Sequence, residues 1–312
     1  MFVGISCGGE WWGLENYRRV EQLGFDGLFT GEHVMFHRPT WDAVTMCTAM
    51  AAATESIAIG PAATVAPLRH PTLLAKEFTG VDLVSDGRLI LCLGVGGDYP
   101  KEFEALDVPL EQKGRRTQES LEILKLYFSG ERFSYEGEIF TLADVLIEPP
   151  PAQPGGPPVW LAGRREVTQR RAARFADGWL PYMYTAKSVR RTFDFIRDDA
   201  ERAGRELPGD YAWGAYTYIA FGDEGEEAQR RADEHLAWRY NEPRFVGDLA
   251  GRYNVAGDVD GCVEQLMAFV EAGVTHLVLF PMPAAGQSVR DMLDGIGEGV
   301  LAALRRAAQA PV

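Results

Sequence analysis

Short apolar runs alternate with helix-like runs along almost the whole chain, and this alternation narrows the fold more than any other feature. Candidate strands lie at Phe2–Ser6, Gly27–Thr30, Ile57–Val65, Leu89–Gly94, Val159–Ala162, Gly178–Pro181, Ala215–Phe221 and His276–Phe280. Several are apolar without clean alternation, as expected of parallel strands buried on both faces. Between and after them, Leu14–Leu23, Trp41–Thr54, Thr72–Val84, Arg116–Phe128, Glu166–Ala176, Ala186–Ala203, Glu224–Tyr240, Cys262–Ala272 and Val289–Ala308 read as helices. Strands alternating with helices make a parallel α/β sheet. Eight of them predict a (β/α)8 TIM barrel with insertion segments, and residues 1–312 read as one domain.

Two stretches exceed a minimal barrel. Residues 131–158 carry Glu148-Pro149-Pro150-Pro151 and Pro154-Gly155-Gly156-Pro157-Pro158. Such proline density excludes helix and central strand, so an insertion wrapping the barrel face is expected. Residues 238–255 carry Trp238, Tyr240, Phe245 and Tyr253 among Gly and Pro. Long ordered loops are often lids; packing on the barrel or on a partner subunit is the alternative.

Net charge of −14 argues against a binder of nucleic-acid backbones, which needs a basic surface. Arginine is nevertheless concentrated at Arg164-Arg165 and Arg170-Arg171, which leaves room for an anionic small ligand. Cys7, Cys47, Cys92 and Cys262 are scattered without a Cys-x-x-Cys pair and read as reduced core thiols. The N-terminus lacks the basic region and apolar core of a signal peptide. No uncharged apolar run approaches a membrane span. A cytoplasmic location without membrane contact is expected.

Barrel enzymes build their sites at the C-terminal ends of strands. There the chain offers Cys7-Gly8-Gly9-Glu10-Trp11-Trp12, Gly31-Glu32-His33, Gly96-Gly97-Asp98-Tyr99, Gly163-Arg164-Arg165 and Pro181-Tyr182-Met183-Tyr184. Polar, aromatic and Gly residues converging on one face suit a large flat ligand with an anionic tail. His33 beside Glu32 is the best acid/base candidate, because histidine exchanges protons near neutral pH and an adjacent carboxylate favours its charged form. Gly94-Val95-Gly96-Gly97 permits close backbone approach to a ligand. His33 and His37 share the i, i+4 spacing of a helical zinc pair. The segment reads as loop and continues into Arg38-Pro39, so no metal site is assigned.

Three motifs taken together carry a family resemblance: Arg69-His70-Pro71, the turn Leu83-Val84-Ser85-Asp86-Gly87-Arg88, and Gly94-Val95-Gly96-Gly97 followed by Glu102-Phe103. Asp177-Gly178-Trp179, Gly257-Asp258-Val259-Asp260 and Gly273-Val274-Thr275-His276-Leu277 extend it along nearly the whole chain. The chain resembles the luciferase-like monooxygenase and F-420-dependent oxidoreductase superfamily. That resemblance implies a barrel binding a flavin-type cofactor, and often a homodimer. It places Glu32 and His33 beside the cofactor ring and puts a non-prolyl cis peptide at Thr64-Val65, behind the ring. Gly96, Gly97 and Tyr99 fall on its cofactor loop, where Asp98 stands in for a glutamate proton donor of some deazaflavin enzymes. Ala162, Gly163 and Arg164 fall on its phosphate-binding turn, where helix N–H groups attract anions.

The cofactor implied is the deazaflavin coenzyme F-420 (F420) or FMN. With F420 the reaction is hydride exchange with a small organic substrate; the Gly31-Glu32-His33 and Thr64-Val65 pattern favours this. With FMN it is an oxygen-dependent monooxygenation that needs a flavin reductase partner. Trp11, Trp12, Phe36, Trp41, Tyr182 and Tyr184 suggest an apolar or aromatic substrate. A metal-dependent hydrolase and a non-catalytic flavin-binding barrel are the rival classes.

Overall fold

The computed structural model describes residues 1–222, 225–284 and 286–309. Its strands are β1 Phe2–Ser6, β2 Gly27–Thr30, β3 Ala58–Pro61, β4 Thr64–Val65, β5 Leu91–Gly94, β6 Phe133–Glu136, β7 Thr141–Val145, β8 Val159–Ala162, β9 Gly178–Trp179, β10 Ala212–Phe221, β11 Asn254–Gly257 and β12 His276–Pro281. The main sheet runs β3-β2-β1-β12-β10-β9-β8-β5-β4, with β11 beside β10, and every pairing in it is parallel. The two ends of that order meet. Ile59 donates to the Arg88 carbonyl at 3.0 Å and accepts from Ile90 at 2.9 Å. The expected strand Ile57–Val65 is thus split: β3 pairs back to β2, whereas β4 pairs forward to Leu93–Gly94 of β5. The ring is the expected barrel.

Phe29, Cys92, Trp160, Leu180, Ala212 and Val278 fill its interior. Phe29 stacks on Trp160 at 6.1 Å, and Phe2 meets both rings edge-on. Full burial of a side chain such as Phe29, Leu180 or Val278 stabilises the fold by about 1.5–3 kcal/mol. The opposite strand faces pack on the helices around Val3, Ile5, Leu28, Tyr17 and Met46.

The helices follow the expected order, with Glu224 outside the described residues. Pro71–Val84 starts on His70, whose Nδ1 accepts from the Thr72 amide at 3.2 Å. Arg88 ends the Ser-Asp-Gly-Arg turn by reaching back to the Ala51 and Thr54 carbonyls at 2.9 and 3.0 Å, so it caps helix Ala43–Ala53. The expected helix Val289–Ala308 is interrupted. Its middle, Gly295–Leu301, is a π-helix between Val289–Asp294 and Ala302–Gln309. A Cβ at Gly297 would meet Leu23 at 2.9 Å, so this turn packs where only glycine fits.

Residues 131–158 hold more than an irregular insertion. β6 and β7 form an antiparallel hairpin. The buried Glu119 carboxylate accepts from the amides of Glu138, Ile139 and Phe140, which pins the hairpin turn to helix Lys113–Phe128. Residues 238–255 are likewise not one loop. They hold the end of helix Gly225–Tyr240, the short helix Pro243–Val246 and the start of β11. Among the described residues no helix is long and apolar enough to cross a membrane.

Candidate active site

The segments that follow β2, β5, β8 and β9 enclose a cavity of about 530 Å³ at the C-terminal rim. Of the residues expected there, Glu32, His33, Val65, Gly96, Gly97, Asp98, Ala162, Gly163 and Arg164 line it. Two do not. Thr64 is fully buried, its hydroxyl donating to the Glu32 carboxylate. Tyr99 packs outward on His37 and Phe36, at 5.0 and 6.2 Å. The non-prolyl cis peptide is Ala62-Ala63, not Thr64-Val65. Thr64 and Val65 are extended and paired with Leu93 and Gly94, and both Ala62 and Ala63 line the cavity.

His33 lies with its Nδ1 3.2 and 3.3 Å from the two oxygens of Glu102, and its ring stacks on Phe36 at 4.0 Å. Carboxylates only accept, so in the neutral imidazole Nδ1 carries the proton and Nε2 the lone pair. Glu102 is fully buried on the short helix Lys101–Ala105 and also accepts from the Val34 amide at 3.2 Å. The carboxylate paired with His33 is therefore Glu102.

Glu32, next to His33 in sequence, does other work. Its oxygens accept from Arg69 Nη1 and Nη2 at 2.8 and 2.6 Å, from the Val65 amide at 3.1 Å, from the Ala43 amide at 3.2 Å, and from Thr64. With its lone pairs taken, it ties the end of β2 to β4 and to the start of helix Ala43–Ala53. Glu32, expected to move a proton, thus has each of its oxygens already accepting hydrogen bonds. Asp98 is also engaged, accepting from the Tyr182 hydroxyl at 2.7 Å. Burial first, and then the Asp98 charge, push the Tyr182 pKa up, so that hydroxyl keeps its proton.

The cavity is basic in an acidic chain. Lys113, Arg164, Arg165 and Arg171 line one side. Helices Lys113–Phe128 and Glu166–Phe175 both begin there, and neither has a side-chain cap on its first turn. The first turn of Glu166–Phe175 lies at the positive end of its helix dipole with amides left for a ligand, whereas the turn Leu110–Gln112 runs into Lys113 and takes up its amide. Lys113 Nζ donates to the Gly96 carbonyl at 3.1 Å, and burial, with Arg165 nearby, lowers its pKa. The Arg171 Nε is buried without a hydrogen-bond partner among the described residues. Gly163 has φ +148°, and a Cβ there would meet Thr168 at 2.8 Å. Bare backbone, unspent amides and an orphaned guanidinium nitrogen fit an anionic ligand group.

Of the aromatic residues expected to form a pocket, Tyr182 lines the cavity. Trp12 is buried, Trp11 and Trp41 are exposed and lie against each other at 5.5 Å, and Tyr184 donates to the Arg164 carbonyl. The arginine concentration at 164–165 and 170–171 signals Arg165 and Arg171, and Glu102 stands in the segment after Gly94-Val95-Gly96-Gly97; nothing local in the sequence marks Lys113. Tyr216, Tyr218, Arg239 and Tyr240 also line the cavity; the last two stand in the lid candidate 238–255, while nothing local in the sequence marks Tyr216 and Tyr218. Among the described residues, no three His, Cys, Asp or Glu side chains gather in a metal-binding group.

Fold and site define a parallel barrel with a basic ligand cavity at its C-terminal rim. The chain belongs to the luciferase-like monooxygenase family, whose profile matches residues 14–276. It is 27% identical to an F420-dependent glucose-6-phosphate dehydrogenase of Nakamurella multipartita, over 92% of this chain and 90% of that one. Among solved structures it resembles an F420-dependent secondary alcohol dehydrogenase, with TM-score 0.82, 18% identity and coverage of 96% of this chain and 98% of that one. It also resembles the monooxygenase RslO1 of Streptomyces bottropensis, with TM-score 0.81, 22% identity and coverage of 97% and 99%. At those identities the two structures speak for the fold alone.

Proposed function

We propose that the chain is an F420-dependent oxidoreductase that exchanges a hydride with a small organic alcohol or carbonyl compound. The observation that carries this reading is the pairing, in one cavity, of a basic rim built on two helix starts with a His33–Glu102 proton pair. The F420-dependent dehydrogenases among its relatives support the choice of cofactor. Lys113, Arg165, Arg171 and the Gly163 backbone would hold the cofactor's phosphate, and Gly96, Gly97 and Val65 would flank its ring. When bound, F420 supplies a ring carbon that gives or accepts a hydride.

The chain's own residues then handle the proton. The unprotonated Nε2 of His33 takes the hydroxyl proton as an alcohol becomes a carbonyl, and returns it in the reverse direction. Glu102 holds the ring and offsets the imidazolium charge, while Glu32 and Arg69 keep the backbone after β2 in place. Asp98 and Tyr182 form a closed pair at the cavity wall.

An FMN-dependent monooxygenase with a separate reductase is the second reading, favoured by the FMN-bound diketocamphane monooxygenase component that shares this fold. Titrating the cofactor-free protein with F420 and with FMN, by absorbance and fluorescence, decides between them. Micromolar or tighter binding of F420, with weak FMN binding, is expected; the reverse preference overturns the F420 reading. Glucose 6-phosphate and small secondary alcohols are the first substrates to assay. We further propose one cytoplasmic barrel domain that self-associates through the exposed patch of Trp11, Leu14 and Trp41. Light scattering tests the association.

A further inference from the structure

One cation of the cavity stands apart from the others. Lys113, Arg164, Arg165 and Arg171 come from the elements after β5 and β8, which are neighbours in the ring. Arg239 comes from the helix after β10. Its Nη2 donates to the Gly8 carbonyl, after β1, at 2.6 Å, and its guanidinium lies 4.8 Å from the ring centroid of Phe280 in β12. In the strand order β1 and β12 lie across the barrel from β5 and β8. The cavity thus has two basic poles on opposite sides of its rim.

The second pole is short of a counter-charge. Arg239 is only 8% exposed. The Glu10 carboxylate stands 4.0 Å from its Nη1, too far for a hydrogen bond, and its side chain is 45% exposed. Beyond Gly8, the guanidinium makes no hydrogen bond among the described residues, although it carries five N–H donors in a planar fork. Of the other acids of the cavity wall, Glu32 is engaged with Arg69 and Asp98 with Tyr182, and Glu111 stands on the turn Leu110–Gln112 after β5, at the opposite pole. Tyr216, whose hydroxyl donates to Ser6, and Tyr218, bonded to Tyr240, surround the fork with neutral polar groups. A buried charge with so little compensation is costly unless a ligand completes it.

We propose that Arg239 is the specificity-determining residue of the substrate half of the cavity, receiving a carboxylate or phosphate ester carried by the organic substrate. The inference rests on the assignment of the opposite pole to the cofactor. A neutral substrate leaves the fork unpaired, which is how a buried polar group discriminates. An anionic one gains charge-assisted bonds.

Calorimetric titration of the F420-loaded protein with benzoate and with phenyl phosphate tests this, with benzyl alcohol as the neutral control. One or both anions are expected to bind more tightly than benzyl alcohol, the tighter one naming the anion type. Arg239→Gln is expected to weaken that binding by about thirtyfold or more while leaving F420 affinity unchanged. Arg239→Lys, which keeps the charge and loses the fork, should fall between, and carries the test if the glutamine variant does not fold. Anion binding untouched by both Arg239 variants, or no preference of the wild type for anions, overturns the proposal. A loss of F420 affinity in Arg239→Gln equal to the loss of anion affinity overturns it too. If F420 does not bind at all, the functional reading fails by itself. Benzoate binding to the cofactor-free chain that is lost in Arg239→Gln would still support an anion site here.

Discussion

Glu32 and Glu102 are both buried carboxylates that meet the segment around His33, and they carry different loads. Glu102 accepts from His33 Nδ1, so Glu102→Gln and His33→Ala should each lower kcat by roughly 10²- to 10⁴-fold. F420 affinity should not change in either variant, as single-turnover and binding measurements would show. Glu32 answers to Arg69, whose guanidinium also meets Asp42 at 2.8 Å and Glu77 at 3.2 Å, so Glu32→Gln removes one of three charge partners together with the acceptor strength of a buried carboxylate. Unfolding in urea should report a loss of about 1–3 kcal/mol. Only half of this was legible in the sequence. His33 announces itself by its chemistry and its place after a strand. Its partner could not be read, because Glu102 lies 69 positions away and meets it only through the barrel's closure. The adjacent acid was the natural choice, yet neighbours along an extended segment point in opposite directions.

The elements around the cavity are short, and their ends decide the chemistry. Gly96 has φ +64°, and a Cβ there would meet Val65 Cγ1 at 2.5 Å. Gly96→Ala should therefore destabilise the fold by about 1–3 kcal/mol, from backbone strain and overpacking together, and weaken F420 binding. Chemical denaturation beside a cofactor titration checks both. The long amphipathic helices and the buried central strands were legible because their apolar patterns run for many residues. β11 was not: four residues, Asn254–Gly257, give too little pattern to distinguish a strand from a loop. The hairpin β6–β7 was hidden differently. The prolines that follow it dominate the local reading, while the Glu119 carboxylate that fixes its turn lies on a helix before it.

Across the whole molecule, acidity and fold stability are linked through two half-buried histidines. Burial, helped by the N-terminal ammonium, lowers His276 to about 4; burial, helped by Arg239, lowers His235 to about 4. Both therefore take up a proton near 6.5 when unfolded but only near 4 when folded. Their contribution is intact above pH 6.5 and is lost as pH falls from there toward 4. Denaturation midpoints across that window should drop for the wild type and drop less for His235→Gln/His276→Gln. Charge is also distributed at this scale. The chain carries −14 overall but gathers cations around one cavity, so F420 affinity should weaken as salt is raised. The arginine concentration in the sequence hinted at this, while the two-pole arrangement depended on ring order.

If the basic rim between β5 and β8 holds the cofactor, its cations set the affinity for F420. Fluorescence titration of F420 into the wild type and into Arg171→Gln measures this. Tight binding to the wild type and at least about tenfold weaker binding to the variant are expected, the loss of one charge-assisted contact. Equal affinity for both proteins would place the cofactor elsewhere and contradict the proposed function.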